Sequence, residues 1–355
     1  MTKPFDISKF RKGLTKSIPG MSVGFTDLKT WINTGNYTLN YLISGSFTNG
    51  IPLGKVSILA GESGSGKSLI SANVIKNAQD QGIFVILIDT ENALDENWLK
   101  AFDVDTSESK ILKLNMAMID DVAKTITEFI KGYKEIPEDE RPEILFVIDS
   151  LGMLLVDAQV SQFERGDLKG DFGHKPKALK SLITNCINMF GNLGIGMLAT
   201  NHTYASQNMF SPDDVVSGGS GPIFAASILV TMKKGKLKED EDGDKITGVN
   251  GIRSMCSITK TRFNKPFEST ELKIPYKGGL DKFSGLFELF EKEGLLTKEG
   301  NRYSYIDNNG EIHKYFRKAW NHNENGILEL VMSEFDRRGN KILINDNQED
   351  KNNVE

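Results

Sequence analysis

The segment that most constrains this 355-residue chain is Gly61-Glu62-Ser63-Gly64-Ser65-Gly66-Lys67-Ser68. An apolar run, "KVSILAG" at 55–61, precedes it, and a helical pattern at 67–80 follows. The spacing is G-x-x-x-x-G-K-[ST], a glycine-rich turn joining a strand to a helix. Glycines let the backbone curl until its N–H groups face one point, and the helix N-terminus adds a favourable field there. A phosphate fits that point. Lys67 would offset β/γ-phosphate charge, Ser68 would ligate Mg2+, and the stretch through Leu69 would wrap ATP. A glycine turn with a chance lysine is the bland alternative, and it leaves the strand and helix around the turn unexplained.

Three more apolar runs follow: "IFVILIDT" (83–90), "EILFVIDS" (143–150) and "GIGMLAT" (194–200). Near-continuous apolar strands are covered on both faces. Helical patterns at 67–80, 94–102, 118–132 and 176–192 separate them. Strands alternating with helices predict an α/β fold with a mostly parallel, doubly wound sheet. "ASILVTMKK" and "GIRSMCSITKTRF" add later strands around a charged hairpin. Ligands of such sheets gather at the carboxyl ends of the strands. Asp149 stands at one such end and would hold Mg2+. Hydrolysis also needs a group that orients or deprotonates water. Many NTPases place Glu directly after this Asp, but here the position is Ser150. Glu91, at the end of another strand, is the candidate; its alternative is a carboxylate favoured at a helix start. Trp98 would stack on the base, or else is a core aromatic of its helix.

Four units are expected: an N-terminal helical segment (1–30), the α/β core (31–280), a small α+β C-terminal domain (281–338) and an acidic polar tail (339–355). The chain shows no apolar run of the roughly 18 residues that span a membrane, and its start has no signal-peptide pattern, so a cytoplasmic protein is expected. Cys186 and Cys256 lack metal spacing and read as buried thiols. The formal net charge of −5 argues weakly against nucleic acid. Basic residues nonetheless gather at 169–180, 233–238 and 253–265.

Taken together, "GESGSGKS", "IDTENALDENWLKAFDVD", "FVIDSLGML", a strand ending in Asn201-His202, a glycine-closed loop, "SITKTRFNKPF" and "YKGGLD" resemble the RecA recombinase family. The likeness runs from about 38 to 320. His202, "NHTYASQNMF" and "GGSGPIFAAS" resemble its UvsX branch from tailed bacteriophages, which implies a host-cell cytoplasm.

The resemblance implies a DNA-dependent ATPase with a RecA-type P-loop core. It would form a helical filament on single-stranded DNA, pair it with homologous duplex, and work with single-strand-binding and loading proteins. Two DNA loops are implied. The first, about 157–175, contains Arg165, Lys169, His174 and Lys175; the second, about 203–217, contains Thr203, Tyr204, Met209 and Phe210 and is closed by Gly218 and Gly219. Asn201 and His202 would sense the γ-phosphate. Lys260 and Arg262 match cations that reach a neighbouring subunit's ATP, and Phe224 matches an aromatic at that boundary. Alternation on a strand would point Lys260 and Arg262 to one face. The N-terminal segment is expected on the next subunit. Two other readings are a ring helicase on the same core and a nucleotide-controlled assembly protein that does not act on DNA.

Overall fold

The four apolar runs become neighbouring parallel strands of one sheet. A computed structural model of the chain describes residues 6–17, 28–166, 173–204, 214–219, 221, 225–239 and 244–335. The elements are α1 (Ile7–Ser17), β1 (Trp31–Ile32), α2 (Tyr37–Ser44), β2 (Ile51–Pro52), β3 (Val56–Gly61), α3 (Lys67–Asp80), β4 (Phe84–Asp89), α4 (Glu96–Lys100), β5 (Ile111–Asn115) and α5 (Ile119–Glu135). There follow β6 (Ile144–Asp149), α6 (Asp157–Glu164), α7 (His174–Gly191), β7 (Gly196–Tyr204), β8 (Val215–Val216), β9 (Ile228–Leu237), β10 (Gly251–Lys260) and β11 (Ser269–Pro275). The main sheet runs β11-β10-β9-β3-β7-β6-β4-β5, with β8 paired to β7. It is parallel from β9 to β5, and β10 and β11 are antiparallel additions.

Alternation along the strands sends adjacent residues to opposite faces. Leu59, Val85, Leu87, Val147 and Leu198 pack with Ile70, Val74 and Ile75 of α3. Ile58, Ile86, Ile88, Phe146 and Ile148 pack with α5 and α7 through Val122, Ile126, Leu182 and Ile183. Burial on both faces explains the unbroken apolar runs. Each fully buried Leu or Ile contributes roughly 1.5–3 kcal/mol.

A third apolar cluster joins Phe287, Tyr303, Trp320 and Val331 to Phe47. The three-stranded antiparallel sheet β12 (Thr297–Glu299), β13 (Arg302–Ile306) and β14 (Ile312–Phe316) supplies part of it. The Trp320 indole N–H reaches the Tyr303 carbonyl at 3.2 Å, so the buried ring keeps its polar atom satisfied. No helix of the described residues is long and apolar enough to cross a membrane. The tail from 339 lies outside the described residues.

Two loop expectations change. The segment from 157 begins as a helix, α6, whose apolar spacing is too short to stand out from its charges. The segment from 203 begins as strand: Thr203 pairs with Val216 and Tyr204 with Val215. This short pairing satisfies backbone groups that a loop would leave to water. It turns the second loop into a hairpin whose base is fixed beside His202.

Candidate nucleotide and DNA site

β3 ends in Gly61 because nothing larger fits: a Cβ there would lie 2.4 Å from the Met232 carbonyl oxygen. Gly64 and Gly66 take φ of +75° and +96°, the left-handed region that favours glycine. The buried Lys67 donates from Nζ to the carbonyls of Gly61 and Glu62, each at 2.9 Å. Ser65 is buried, and its hydroxyl has no partner among the described residues. Leu69 is half-buried in the first turn of α3. The loop is braced from β9 and β10. Lys234 donates from its backbone N–H to Glu62 Oε1 at 3.1 Å and from Nζ to the Ser63 carbonyl at 2.7 Å. Ser254 Oγ donates to the Ser65 carbonyl at 2.7 Å. Sequence reasoning missed both braces, because they lie about 170 and 190 residues away with no local signal.

Parallel register aligns the chemistry along one sheet edge. Asp89 pairs with Asp149, Ile148 with Ala199, and Gly61 with His202. Asp149 accepts hydrogen bonds from the hydroxyls of Thr200 and Ser68. Burial pushes its carboxyl up, against those two hydrogen bonds. Burial also pushes the Lys67 ammonium down, against the pull of Asp149, Glu91 and Glu62. A buried lysine, an unpartnered serine and curled glycines fit a polyphosphate. The Ser68 hydroxyl and Asp149 carboxylate are hard oxygen donors of the kind Mg2+ takes.

Glu91 Oε1 accepts from Ser150 Oγ at 2.8 Å and lies 2.9 Å from His202 Nε2. Asp89 shapes the turn that carries Glu91. Its carboxylate accepts the backbone N–H groups of Glu91, Ala93 and Leu94 at 3.2, 3.4 and 3.0 Å. Burial would raise the Asp89 carboxyl, but Lys113 at 3.0 Å and the N–H groups of Leu94 and Ala93 hold it below the usual range. Asp89, Ser150 and Thr200 are further residues that sequence reasoning missed. Their signal was position alone: each lies at a strand end beside a residue already chosen. Trp98 is half-buried against Phe102, ring centroids 4.7 Å apart, and packs on the α3-side apolar cluster.

The second loop hangs from the same edge. Asn201 Nδ2 donates to the Ser217 carbonyl at 2.8 Å, and the Ser217 N–H donates to the His202 carbonyl at 2.8 Å. Thr203 is half-buried and Tyr204 exposed. Gly218 and Gly219 take φ of +84° and +79° against the start of α7. A Cβ on Gly218 would meet Leu179 at 2.6 Å. Lys175 Nζ donates to the Gly152 carbonyl at 2.6 Å, His174 is exposed, and the exposed Arg165 donates from Nε to Ser161 O at 2.9 Å. Lys169, Met209, Phe210 and Phe224 lie outside the described residues. Phe163, which the sequence reading passed over within a charged stretch, is 74% exposed at the end of α6.

Lys260 and Arg262 correct an expectation: they do not alternate on a strand. The β9–β10 register shifts between Ile258 and Lys260, β10 ends at Lys260, and Arg262 is exposed beyond it. The two are still close enough that burial and the Arg262 charge together push Lys260 down. Their place in the sheet is informative. β10 runs antiparallel to β9, so Lys260 pairs with Leu229, which pairs with Ile58 near the start of β3. The phosphate loop leaves from the other end of β3, roughly 10 Å away at 3.3 Å per residue.

Residues 17–281 match the RecA N-terminal domain family. Protein RecA of Streptomyces rimosus is 25% identical over 264 residues, covering 72% of this chain and 64% of that protein. The recombination and repair protein of Enterobacteria phage T4 is 26% identical over 282 residues, covering 78% and 67%. Protein RecA of Cytophaga hutchinsonii is 25% identical over 276 residues, covering 77% and 72%. The chain thus aligns with about two thirds of the length of these relatives. With the phosphate loop, the row of strand-end residues and the hairpin beside His202 all inside the matched span, the chain belongs to the RecA N-terminal domain family.

Proposed function

We propose that this chain is a RecA-type recombinase: an ATPase that assembles on single-stranded DNA and pairs it with homologous duplex. The observation that carries the reading is His202. Its side chain lies at Glu91, and its carbonyl accepts the N–H of Ser217 at the base of the DNA hairpin. One residue therefore touches both the hydrolytic candidate and the DNA loop. The phage T4 relative named a recombination and repair protein supports the same reading.

In this mechanism Lys67 exchanges the Gly61 and Glu62 carbonyls for the β/γ-phosphates of ATP, which removes the mismatch of a buried cation facing carbonyls. Ser68 and Asp149 hold Mg2+, which when bound neutralises charge developing on the phosphates. Glu91, steadied by Ser150, orients the attacking water and takes its proton. A γ-phosphate draws the His202 side chain away from Glu91 and, through Ser217, shifts the hairpin. Gly218 and Gly219 then offer backbone N–H groups to DNA phosphates, and Tyr204 and Phe163 offer apolar faces to bases. Arg165, His174 and Lys175 add positive charge or hydrogen-bond donors along the same path. Lys260 and Arg262, at the edge away from their own phosphate loop, act on the ATP of the next subunit. The proposed division is a core (31–280), a C-terminal unit (281–338) and a segment 1–30 whose α1 exposes Ile7 and Phe10 for assembly.

Electron microscopy of the full chain with single-stranded DNA and a non-hydrolysable ATP analogue tests this. Helical filaments on the DNA are expected. Closed rings would point to a helicase, and particles indifferent to DNA would point to an assembly protein.

A further inference from the structure

The phosphate loop is braced at alternate peptides by two side chains from outside its own strand and helix. Lys234 Nζ holds the Ser63 carbonyl at 2.7 Å, and Ser254 Oγ holds the Ser65 carbonyl at 2.7 Å. The only cis peptide among the described residues is Asp149–Ser150, so the Ser63–Gly64 and Ser65–Gly66 peptides are trans. In a planar trans peptide the C=O and the following N–H point in opposite directions. Drawing the Ser63 carbonyl toward β9 therefore turns the Gly64 N–H away from it. Drawing the Ser65 carbonyl toward β10 does the same to the Gly66 N–H. Lys234 and Ser254 are cross-strand partners, so both carbonyls are drawn to the same pair of strands and both N–H groups turn away from it.

Other features strengthen the bracing. Ser254 is fully buried, so its hydroxyl is held in place by packing. Lys234 is fixed twice over, since its own N–H donates to Glu62 Oε1 and its Nζ lies 3.6 Å from Glu62 Oε2. Gly64 and Gly66 have no side chain, so packing of their own residues does not hold either peptide. Without a restraint each peptide could rotate and lose its aim.

We propose that Lys234 and Ser254 are positioning residues for nucleotide binding: they preset the Gly64 and Gly66 N–H groups before ATP arrives. The proposal rests on reading 61–68 as the phosphate site. Preorganised donors bind without the cost of ordering the loop. Lys234 and Ser254 are register partners on β9 and β10 and hold the same loop, so the double variant reads their coupling as well as their separate effects.

The test uses the full chain, Mg2+ and a fluorescent ATP analogue. Lys234→Met and Ser254→Ala should each weaken binding about 5- to 10-fold, the scale of one hydrogen bond, and the double variant more than either alone. Turnover at saturating ATP should fall less than KM rises, because the loss is in binding shared by ground and transition states. Lys234→Arg and Ser254→Thr should restore most of the affinity. Lys67→Ala is the control, and thermal unfolding is followed in parallel. If Lys67→Ala loses binding while the brace variants bind as wild type, the proposal is wrong and the phosphate-site reading stands. A lowered melting temperature with unchanged affinity also overturns it, because the braces would then be structural only. Normal binding by Lys67→Ala would overturn both.

Discussion

His202 Nε2 lies 2.9 Å from Glu91 Oε1, the same oxygen that accepts the Ser150 hydroxyl at 2.8 Å. The residue proposed to sense the γ-phosphate therefore holds the residue proposed to activate water. A γ-phosphate that recruits His202 would release Glu91 to its water while Ser150 keeps it in place.

Glu91→Gln should keep nucleotide affinity and lose turnover by about 10²- to 10⁴-fold, the range for removing a positioned base. The amide remains within reach of Ser150, so local structure should survive. Parallel measurement of ATP-analogue binding and steady-state hydrolysis checks this. Turnover at the wild-type rate would move the base elsewhere.

Lys260→Ala and Arg262→Ala should each bind ATP and lose DNA-stimulated hydrolysis. The sheet register puts Lys260 at the edge opposite its own phosphate loop, and Arg262 follows just beyond the strand. Mixing either variant with Glu91→Gln creates some interfaces with intact Glu91 on one side and intact cations on the other. Hydrolysis regained in the mixture supports action between subunits. Its absence, with co-assembly verified, would place the cations' role within one subunit.

Mg2+ affinity should fall with acid sooner than for an ordinary carboxylate site. Burial raises the Asp149 carboxyl, so the fold binds that proton more tightly, and metal binding must displace it. The affinity is therefore complete at higher pH and lost as pH drops through the raised value. Proton release on adding Mg2+ and nucleotide should grow over the same range, and Asp149→Asn should abolish it. Release that is independent of Asp149 would contradict this assignment.

Cys186 and Cys256 are buried, and burial pushes both thiols up to about 12. The thiolate is the reactive form, so a thiol reagent at pH 8 should label neither in the native protein and both after unfolding. The raised values add stability that is complete below the ordinary thiol range and lost as pH rises toward 12. Rapid native labelling of either would mean that its cover opens.

The parallel sheet was legible because strands buried on both faces read as unbroken apolar runs. β5 was not, since Lys113 interrupts its short edge run to pair with Asp89. α2 escaped notice although Asn36 caps it and Gly45 closes it, because eight residues carry little periodicity. Gly61, Lys67, Ser68 and Asp149 stood out by spacing and strand-end position. Lys234 and Ser254 did not, because only the fold of β9 and β10 brings them to the loop. Thr203 and Tyr204 give no strand signal, because two-residue pairing with Val215 and Val216 leaves no pattern. Lys260 and Arg262 do not alternate on one strand because β10 ends at Lys260, a boundary that the sequence pattern does not mark.

In the proposed function, His202 lets ATP control the grip on DNA. The direct measurement is single-stranded DNA affinity at fixed salt, with a non-hydrolysable ATP analogue and with ADP, for wild type and His202→Ala. Salt is held constant because phosphate contacts weaken steeply as it rises. A coupling of roughly 1–3 kcal/mol predicts about 5- to 150-fold tighter binding with the ATP analogue in the wild type. His202→Ala should still bind nucleotide through Lys67 and Ser68, yet hold DNA almost equally in both states. An undiminished ATP-over-ADP preference in the variant would contradict the account.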